Sequence, residues 1–404
     1  MGAKKVMKID EITINDISCI KSLTIKFNDN MNFICGGNGI GKSSVLECVA
    51  GFFYGNYSNP NLKKKFSSEI GSCKAKFLIN EDETETELSY NVKGFHPSES
   101  NSPNTQVTYD NSEKFIFIRT NRFISYKALS SISLVDKRGG SNNYQDLIHG
   151  MKGDDLKNWF VHQELFAGQE KSLSEEQLSN LEFAKTMIPI IDGRFKYSHI
   201  DGNSHDIIIS SPTGLICFEY LSSGFKSCLF LLLGIIKEVE YRFSDNRINA
   251  EDFNGIILID EPEMHLHPEW QAKISKVLTT AFPKVQFICA THSPHVIQES
   301  IASEVITLEY DNENNIRLKE ISSNEYGFQG WTIEEILTDV MGMEDTRSIL
   351  YKNLKNEFYC AIDNDDVKLA RVKYSELLKI IHPNSMERKV IQIDMACLSG
   401  GEND

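Results

Sequence analysis

The sequence lacks any CxxC pair, and its nine cysteines (Cys19, Cys35, Cys48, Cys73, Cys217, Cys228, Cys289, Cys360 and Cys397) are scattered. Such spacing offers neither a disulfide framework nor a Cys-based zinc site, and it predicts buried, reduced thiols. No apolar run reaches the roughly 18 to 20 residues needed to cross a bilayer. The opening Met-Gly-Ala-Lys-Lys leads into alternating polar sequence with no signal-peptide core, so a cytoplasmic location is expected. Positive charge is also short: 42 Lys and Arg face 57 Asp and Glu, a formal net charge of −15. That balance opposes non-specific nucleic-acid binding by the whole surface, though not by a local basic groove. At 404 residues the chain exceeds one ordinary hydrophobic core, which predicts a large domain with insertions and a smaller appendage.

What is present centres on residues 36–43, Gly-Gly-Asn-Gly-Ile-Gly-Lys-Ser, which has the form GxxxxGK[ST]. Residues 31–35 read as a strand and 43–53 as a helix, the setting a phosphate-binding P-loop requires. Its glycines let consecutive N–H groups turn toward a phosphate, aided by the positive end of the helix. Lys42 would reach the β- and γ-phosphates and Ser43 would hold Mg²⁺.

Around this loop the pattern alternates between strands and helices. Residues 7–35 read as two or three short strands, with Asn28-Asp29-Asn30 at a turn. Period-two alternation over 73–92 predicts a hairpin, and the Ser/Asn/Pro-rich stretch 94–110 an exposed loop. Residues 115–119 read as another strand, followed by Arg119, Asn121 and Arg122 as candidates for nucleotide or partner contacts. After a linker at 136–143, residues 144–166 and 174–190 have helical spacing. Residues 195–209 and 214–218 are expected to return as strands to the core. Residues 222–241 form a long helix pattern, apolar nearly all round and hence buried. The four apolar residues at 256–259 and the run 285–290 are read as buried parallel strands flanking a helix over 270–280. The fold class is therefore α/β. From 333 onward the pattern turns helical, with Asp363 to Asp366 crowding a helix start.

A P-loop alone does not make an ATPase. Asp260 and Glu261 follow the apolar strand 256–259, where two adjacent acids would be costly unless their charge were used. Asp260 suits a metal and Glu261 a general base that polarises water. Leu221-Ser222-Ser223-Gly224 precedes the long helix and offers a second phosphate-binding surface, or a simple N-cap. Thr291-His292-Ser293-Pro294 follows the strand 285–290 and places a histidine within reach of a γ-phosphate.

The order and spacing of these four motifs resemble the ABC-type ATPase heads of the RecF, SMC and OLD group. The resemblance covers about residues 7–310, with the middle insertion unmatched in detail. It implies that Gly36, Asn38, Gly39, Gly41, Lys42, Ser43 and Ser44 bind ATP and that Ser43 and Asp260 hold Mg²⁺. Glu261 would be the catalytic base and His292 the switch, while Ser222, Ser223 and Gly224 would act on the nucleotide of a second copy. The run Glu261-Pro262-Glu263-Met264-His265-Leu266-His267-Pro268 is similar to the DEPExHLHP segment of bacterial defence ATPases. Phe225 stands where a transporter signature has Gln and Ser223 where it has a second Gly, which is similar to the LSSGxKS form of those defence ATPases. His265 and His267 lack further ligands at metal-site spacing.

The resemblance divides the chain into an ABC-type head over 1–320, with an antiparallel β lobe at about 66–118 and a helical insertion at about 141–190, and a C-terminal helical partner-binding region over 321–404. Asp363-Asn364-Asp365 nominally fits the DxD of an OLD nuclease but is better explained as an acidic N-cap. The tail, read as helices over 331–350 and 363–381, resembles PtuA-type ATPases of Septu or retron-associated anti-phage systems. That resemblance implies a slow, regulatory ATPase that forms a homodimer or higher even oligomer. Its partner would be a separate HNH-type effector nuclease, with DNA or a retron nucleoprotein as a further partner and no membrane. The alternative reading is a RecF- or SMC-like repair ATPase acting on DNA.

Overall fold

The computed structural model describes residues 7–79, 84–103, 111–122, 124, 126, 128–129, 131–133, 140–151, 153, 155–321, 324 and 326–400. The hairpin turn expected near 80–83, most of the loop tip at 104–110 and the linker residues 136–139 lie outside the described residues. The chain divides into two compact units, residues 1–342 and 343–404.

The first unit is built on a six-stranded sheet. Strands β3 (Met31–Gly36), β6 (Phe115–Ile118), β10 (Ile256–Asp260), β11 (Gln286–Ala290) and β12 (Val305–Tyr310) run parallel, and β13 (Ile316–Leu318) closes one edge antiparallel. The order is β13-β12-β3-β11-β10-β6. The continuous apolar runs of β10 and β11 arise because both faces are covered. Ile257, Ile259, Phe287 and Cys289 enter one core, and Ile256, Leu258, Ile288 and Ala290 enter the other.

The second core lies under a four-stranded antiparallel sheet of order β2-β1-β4-β5, comprising β1 (Met7–Ile17), β2 (Ile20–Lys26), β4 (Gly71–Ile79) and β5 (Thr84–Val92). Helix α1 (Lys42–Gly51) packs in the same core. Gln286 fastens the two sheets: its amide accepts from Ile9 N–H (2.9 Å) and donates to the Ile9 carbonyl (2.8 Å).

The first core holds α3 (Leu156–Ala167), α4 (Glu175–Ile191) and the long α5 (Ser223–Arg242). A shorter α2 (Gly140–His149) precedes α3 and ends where Gly150 takes a positive φ, so the periodicity over 144–166 belongs to two helices. Strands β7 (Lys196–Ile200), β8 (Ile207–Ser211) and β9 (Gly214–Cys217) do not rejoin the central sheet. They form a sheet of their own that lends Ile207 and Ile209 to this core. Alternation reports one buried face but not what buries it. The helix expected over 270–280 is interrupted at Ala272-Lys273, giving α6 (Pro268–Gln271), α7 (Ile274–Ala281) and later α8 (Pro294–Gln298).

Within 331–350 only Ile333–Val340 is helical, its second half a π turn, before the next helix starts at Ile349. Phe328, Ile336, Val340 and Met341 are buried in the first unit's core, which is why that unit extends to residue 342. The second unit contains α9 (Ile349–Asp363), α10 (Val367–Ile380) and α11 (Met386–Gly400). Tyr351, Leu354, Phe358, Ala370, Leu377 and Ile391 form its core. Asp363 ends α9, and Asp366 caps α10 by accepting from Leu369 N–H at 3.0 Å.

Candidate active site

In a sheet of this kind ligands meet the carboxyl ends of the parallel strands. Here four neighbouring strands end in chemistry: β3 at Gly36, β11 before Thr291-His292, β10 at Asp260-Glu261, and β6 before Arg119. Backbone pairing fixes their relative heights. Thr291 N–H donates to the Ile34 carbonyl (3.0 Å) and Glu261 N–H to the Ala290 carbonyl (2.8 Å).

The loop after β3 has the left-handed φ values that its glycines permit: +137° at Gly36, +74° at Gly39 and +96° at Gly41. A Cβ on Gly36 would meet the Leu308 carbonyl oxygen at 2.4 Å, whereas one on Gly39 would meet nothing within 4 Å. Gly41 caps α1, and neither a side-chain cap nor a first-turn acid covers the helix's amino end. Those N–H groups and the positive helix end suit an anion. Lys42 Nζ folds back to donate to the carbonyls of Gly36 (2.9 Å) and Gly37 (2.8 Å). Burial pushes its pKa down, opposed by Cys35, Asp260 and Glu261. An amine held this way over an uncapped glycine loop fits a triphosphate cradle.

Ser43 Oγ lies 3.3 Å from both carboxylate oxygens of Asp260. A hydroxyl beside a carboxylate is the hard-oxygen set that Mg²⁺ takes, so these two residues fit the ion. Burial raises the Asp260 pKa, and the adjacent Glu261 adds to it. Glu261 occupies the left-handed region at φ +53°. A non-glycine residue there is strained, a condition concentrated at functional sites. His292 has a half-open environment in which burial and the Lys42 charge lower its pKa while Glu261 opposes them.

One group around the site had no role assigned in sequence, and another, Arg122, has a different place from the one expected. Glu263 is buried and accepts the His292 backbone N–H at 2.7 Å, tying the end of β11 to the turn after β10. Its signal was the second acid of the Glu-Pro-Glu run. Arg122 is buried rather than facing a ligand: it donates to the carbonyls of Asp260, Pro262 (3.4 Å) and Arg119 (3.2 Å). Burial lowers its pKa to about 10, against the pull of Glu263. Arg119 pairs with Glu47 of α1 at 2.5 Å. Asn121 is exposed beside them.

Thus the structure brings Lys42, Ser43, Asp260, Glu261 and His292 together. Among the described residues no hydrogen bond links Ser222–Gly224 to the P-loop, and the segment meets the turn after β10 instead. Ser222 Oγ caps α5 by accepting from Phe225 N–H (3.2 Å), and Ser222 and Ser223 are exposed. Gly224 abuts the turn after β10, where a Cβ would meet the His265 carbonyl at 2.8 Å. Ser227 Oγ donates to the Met264 carbonyl of that turn (2.9 Å).

Residues 11–196 match a family model described as "AAA domain", and residues 192–298 match one described as "AAA domain, putative AbiEii toxin, Type IV TA system". The Septu protein PtuA of Bacillus thuringiensis is 35% identical over 395 residues, spanning 97% of this chain and 98% of that protein. The Retron Vc95 probable ATPase of Vibrio cholerae is 25% identical over 308 residues, or 66% of this chain and 57% of that one. Among solved structures, the SMC head domain from Thermotoga maritima overlaps 78% of this chain and 100% of its own at 12% identity and a TM-score of 0.44.

Proposed function

Because the chain belongs to the family of the Septu protein PtuA, we propose that it is an ATP-binding and hydrolysing subunit of a bacterial anti-phage defence complex. In this reading it controls a separate HNH-type effector nuclease through nucleotide-dependent dimerisation. The observation that carries it is the meeting of Lys42, Ser43, Asp260, Glu261 and His292 at adjacent strand ends, with Ser222 and Ser223 exposed at the start of α5 on the same chain.

In the proposed reaction Lys42 leaves the Gly36 and Gly37 carbonyls for the β- and γ-phosphates. The N–H groups of 38–44 cradle the chain of phosphates, with Asn38, Gly39, Gly41 and Ser44 supplying backbone. Mg²⁺, when bound, neutralises charge that develops on the phosphate oxygens. Ser43 and Asp260 would hold it. Glu261 accepts a proton from the attacking water, and His292 contacts the γ-phosphate side. Arg122 and Glu263 position the β10 end by fixing its carbonyls and its neighbour's backbone. Ser222, Ser223 and Gly224 of a second copy close the site, so a chain alone hydrolyses slowly and hydrolysis reports assembly.

Two defective variants with complementary lesions test this. Lys42→Ala spoils the P-loop half of a site and Ser223→Arg the other half. Each alone should be inactive, and mixing them should restore one working site per mixed dimer. No recovery, in a mixture shown by light scattering to dimerise with ATP, would refute the shared site.

A further inference from the structure

One patch beside the antiparallel sheet carries features that the ATPase reading does not use. Lys63, Lys64 and Lys65 follow one another in a protein of net charge −15, and among the described residues none of them is ion-paired. Lys63 Nζ donates to the carbonyls of Pro97 (3.4 Å) and Glu99, and Lys64 Nζ to that of Ser68 (2.5 Å). The Glu99 carboxylate is turned into its own loop, accepting from the N–H groups of Phe95 (2.7 Å) and His96 (2.9 Å). On the neighbouring sheet Lys74 pairs with Glu87 (2.8 Å) and Lys76 with Glu11 (3.3 Å).

Beside the three lysines, Phe66 is 79% exposed and Phe95 44%. Their rings meet at 5.0 Å, tilted by 59°, and Lys64 Nζ sits 5.9 Å from the Phe95 centroid. Two adjacent phenyl rings in water are unfavourable unless something covers them. The platform is held by backbone: Ser18 N–H donates to the Lys63 carbonyl and Lys65 N–H to that of Asp16, both at 2.8 Å. That same β1–β2 turn reaches the phosphate loop, since a Cβ on Gly41 would come within 2.9 Å of Cys19 Sγ.

We propose that Lys63, Lys64, Lys65, Phe66 and Phe95 form a binding site for single-stranded nucleic acid. Phosphates would neutralise the lysines while an unstacked base lies on the phenyl pair, the combination that serves sequence-tolerant single-strand binding. A duplex keeps its base faces stacked and cannot use the rings, and an acidic peptide would satisfy the lysines but leave the rings bare. The negative surface elsewhere confines affinity to this patch and makes it strongly salt-dependent.

The test is fluorescence anisotropy of the full chain with a labelled oligothymidylate of roughly 15 nucleotides, a duplex of equal length and a labelled polyglutamate, across a range of KCl concentrations. The single strand should bind best. Phe66→Ala should weaken it on the order of tenfold. Replacing all three lysines by Gln should reduce the log–log salt slope by about 2. Lys74→Gln, which removes a paired lysine from the neighbouring sheet, should change nothing. Circular dichroism melts of each variant, expected to match the wild type, separate lost binding from lost folding. Absence of single-strand binding, indifference to Phe66→Ala in a folded protein, or polyglutamate binding as tightly as the strand would overturn the proposal. None of these readings depends on ATP hydrolysis.

Discussion

Glu240, on the helix that Ser222 caps, makes a quantitative case about the buried polar layer that fixes that helix. Its Oε2 accepts from Trp159 Nε1 (2.8 Å) and Gln163 Nε2 (2.6 Å), while Oε1 is buried without a partner. Desolvation outweighs these hydrogen bonds and raises the carboxyl from 4.5 to about 7. The folded protein therefore holds this proton more tightly than the unfolded chain. The group's contribution to stability is fully present below the ordinary glutamate range and is lost as pH rises through about 7. A shift of that size corresponds to about 3 kcal/mol. Glu240→Gln keeps an acceptor for both donors and carries no charge. Relative to the wild type it should be near neutral below pH 4.5, gain about 3 kcal/mol as pH rises through 7, and stay level above that. Urea unfolding at stepped pH, followed by tryptophan fluorescence, reads this out. Trp159, Trp270 and Trp331 all lie in the first unit. A pH-independent difference between the two proteins, or a wild type that gains stability relative to the variant over this window, would refute the desolvation argument.

Other outcomes follow from the site. Gly36→Ala forces a Cβ against the Leu308 carbonyl at a φ of +137° and should cost on the order of 3 kcal/mol in urea unfolding. Gly39→Ala, with open space around it but a φ of +74°, should cost only about 1 kcal/mol, less than Gly36→Ala, and bind ATP more weakly in calorimetry. Glu261→Gln should retain ATP, measured by filter binding, and lose turnover; undiminished phosphate release would contradict its role as base. Because the Asp260 pKa is raised, Mn²⁺ bound with a non-hydrolysable ATP analogue, followed by electron paramagnetic resonance, should weaken as pH falls while still above the ordinary aspartate range. Asp260→Asn should bind the ion weakly and without that pH dependence.

The loop and strand ends of the candidate site were largely legible because their demands are local. A glycine loop needs positive φ, and β10 and β11 need apolar residues on both faces, so both stand out along the chain. The cap at Ser222 was equally readable, since N-cap preferences act over three residues. Arg122 was not, because burying a guanidinium is favourable only where three carbonyls converge, and that convergence comes from residues 119, 260 and 262. The sheet formed by β7–β9 was hidden for a related reason: one buried face at Ile207 and Ile209 looks alike whichever sheet the strand joins. The interruptions at Gly150 and Ala272-Lys273 left helical periodicity intact on either side, so two helices read as one.

The position of β3 also determines when the site can exist. Strand β3 pairs only with β11 and β12, whose residues begin at 286 and 305, and with neither of its sequence neighbours β1 and β2. During synthesis the phosphate loop therefore emerges some 250 residues before either strand that will hold it. Parallel pairing at that separation must await loop closure over the whole intervening chain. A nascent or prematurely terminated chain ending before β11 has no ordered cradle and so cannot capture nucleotide. Under the proposed nucleotide-dependent dimerisation, such a chain would also be barred from pairing with a finished copy, and competence to assemble would check that the chain has been made as far as β12.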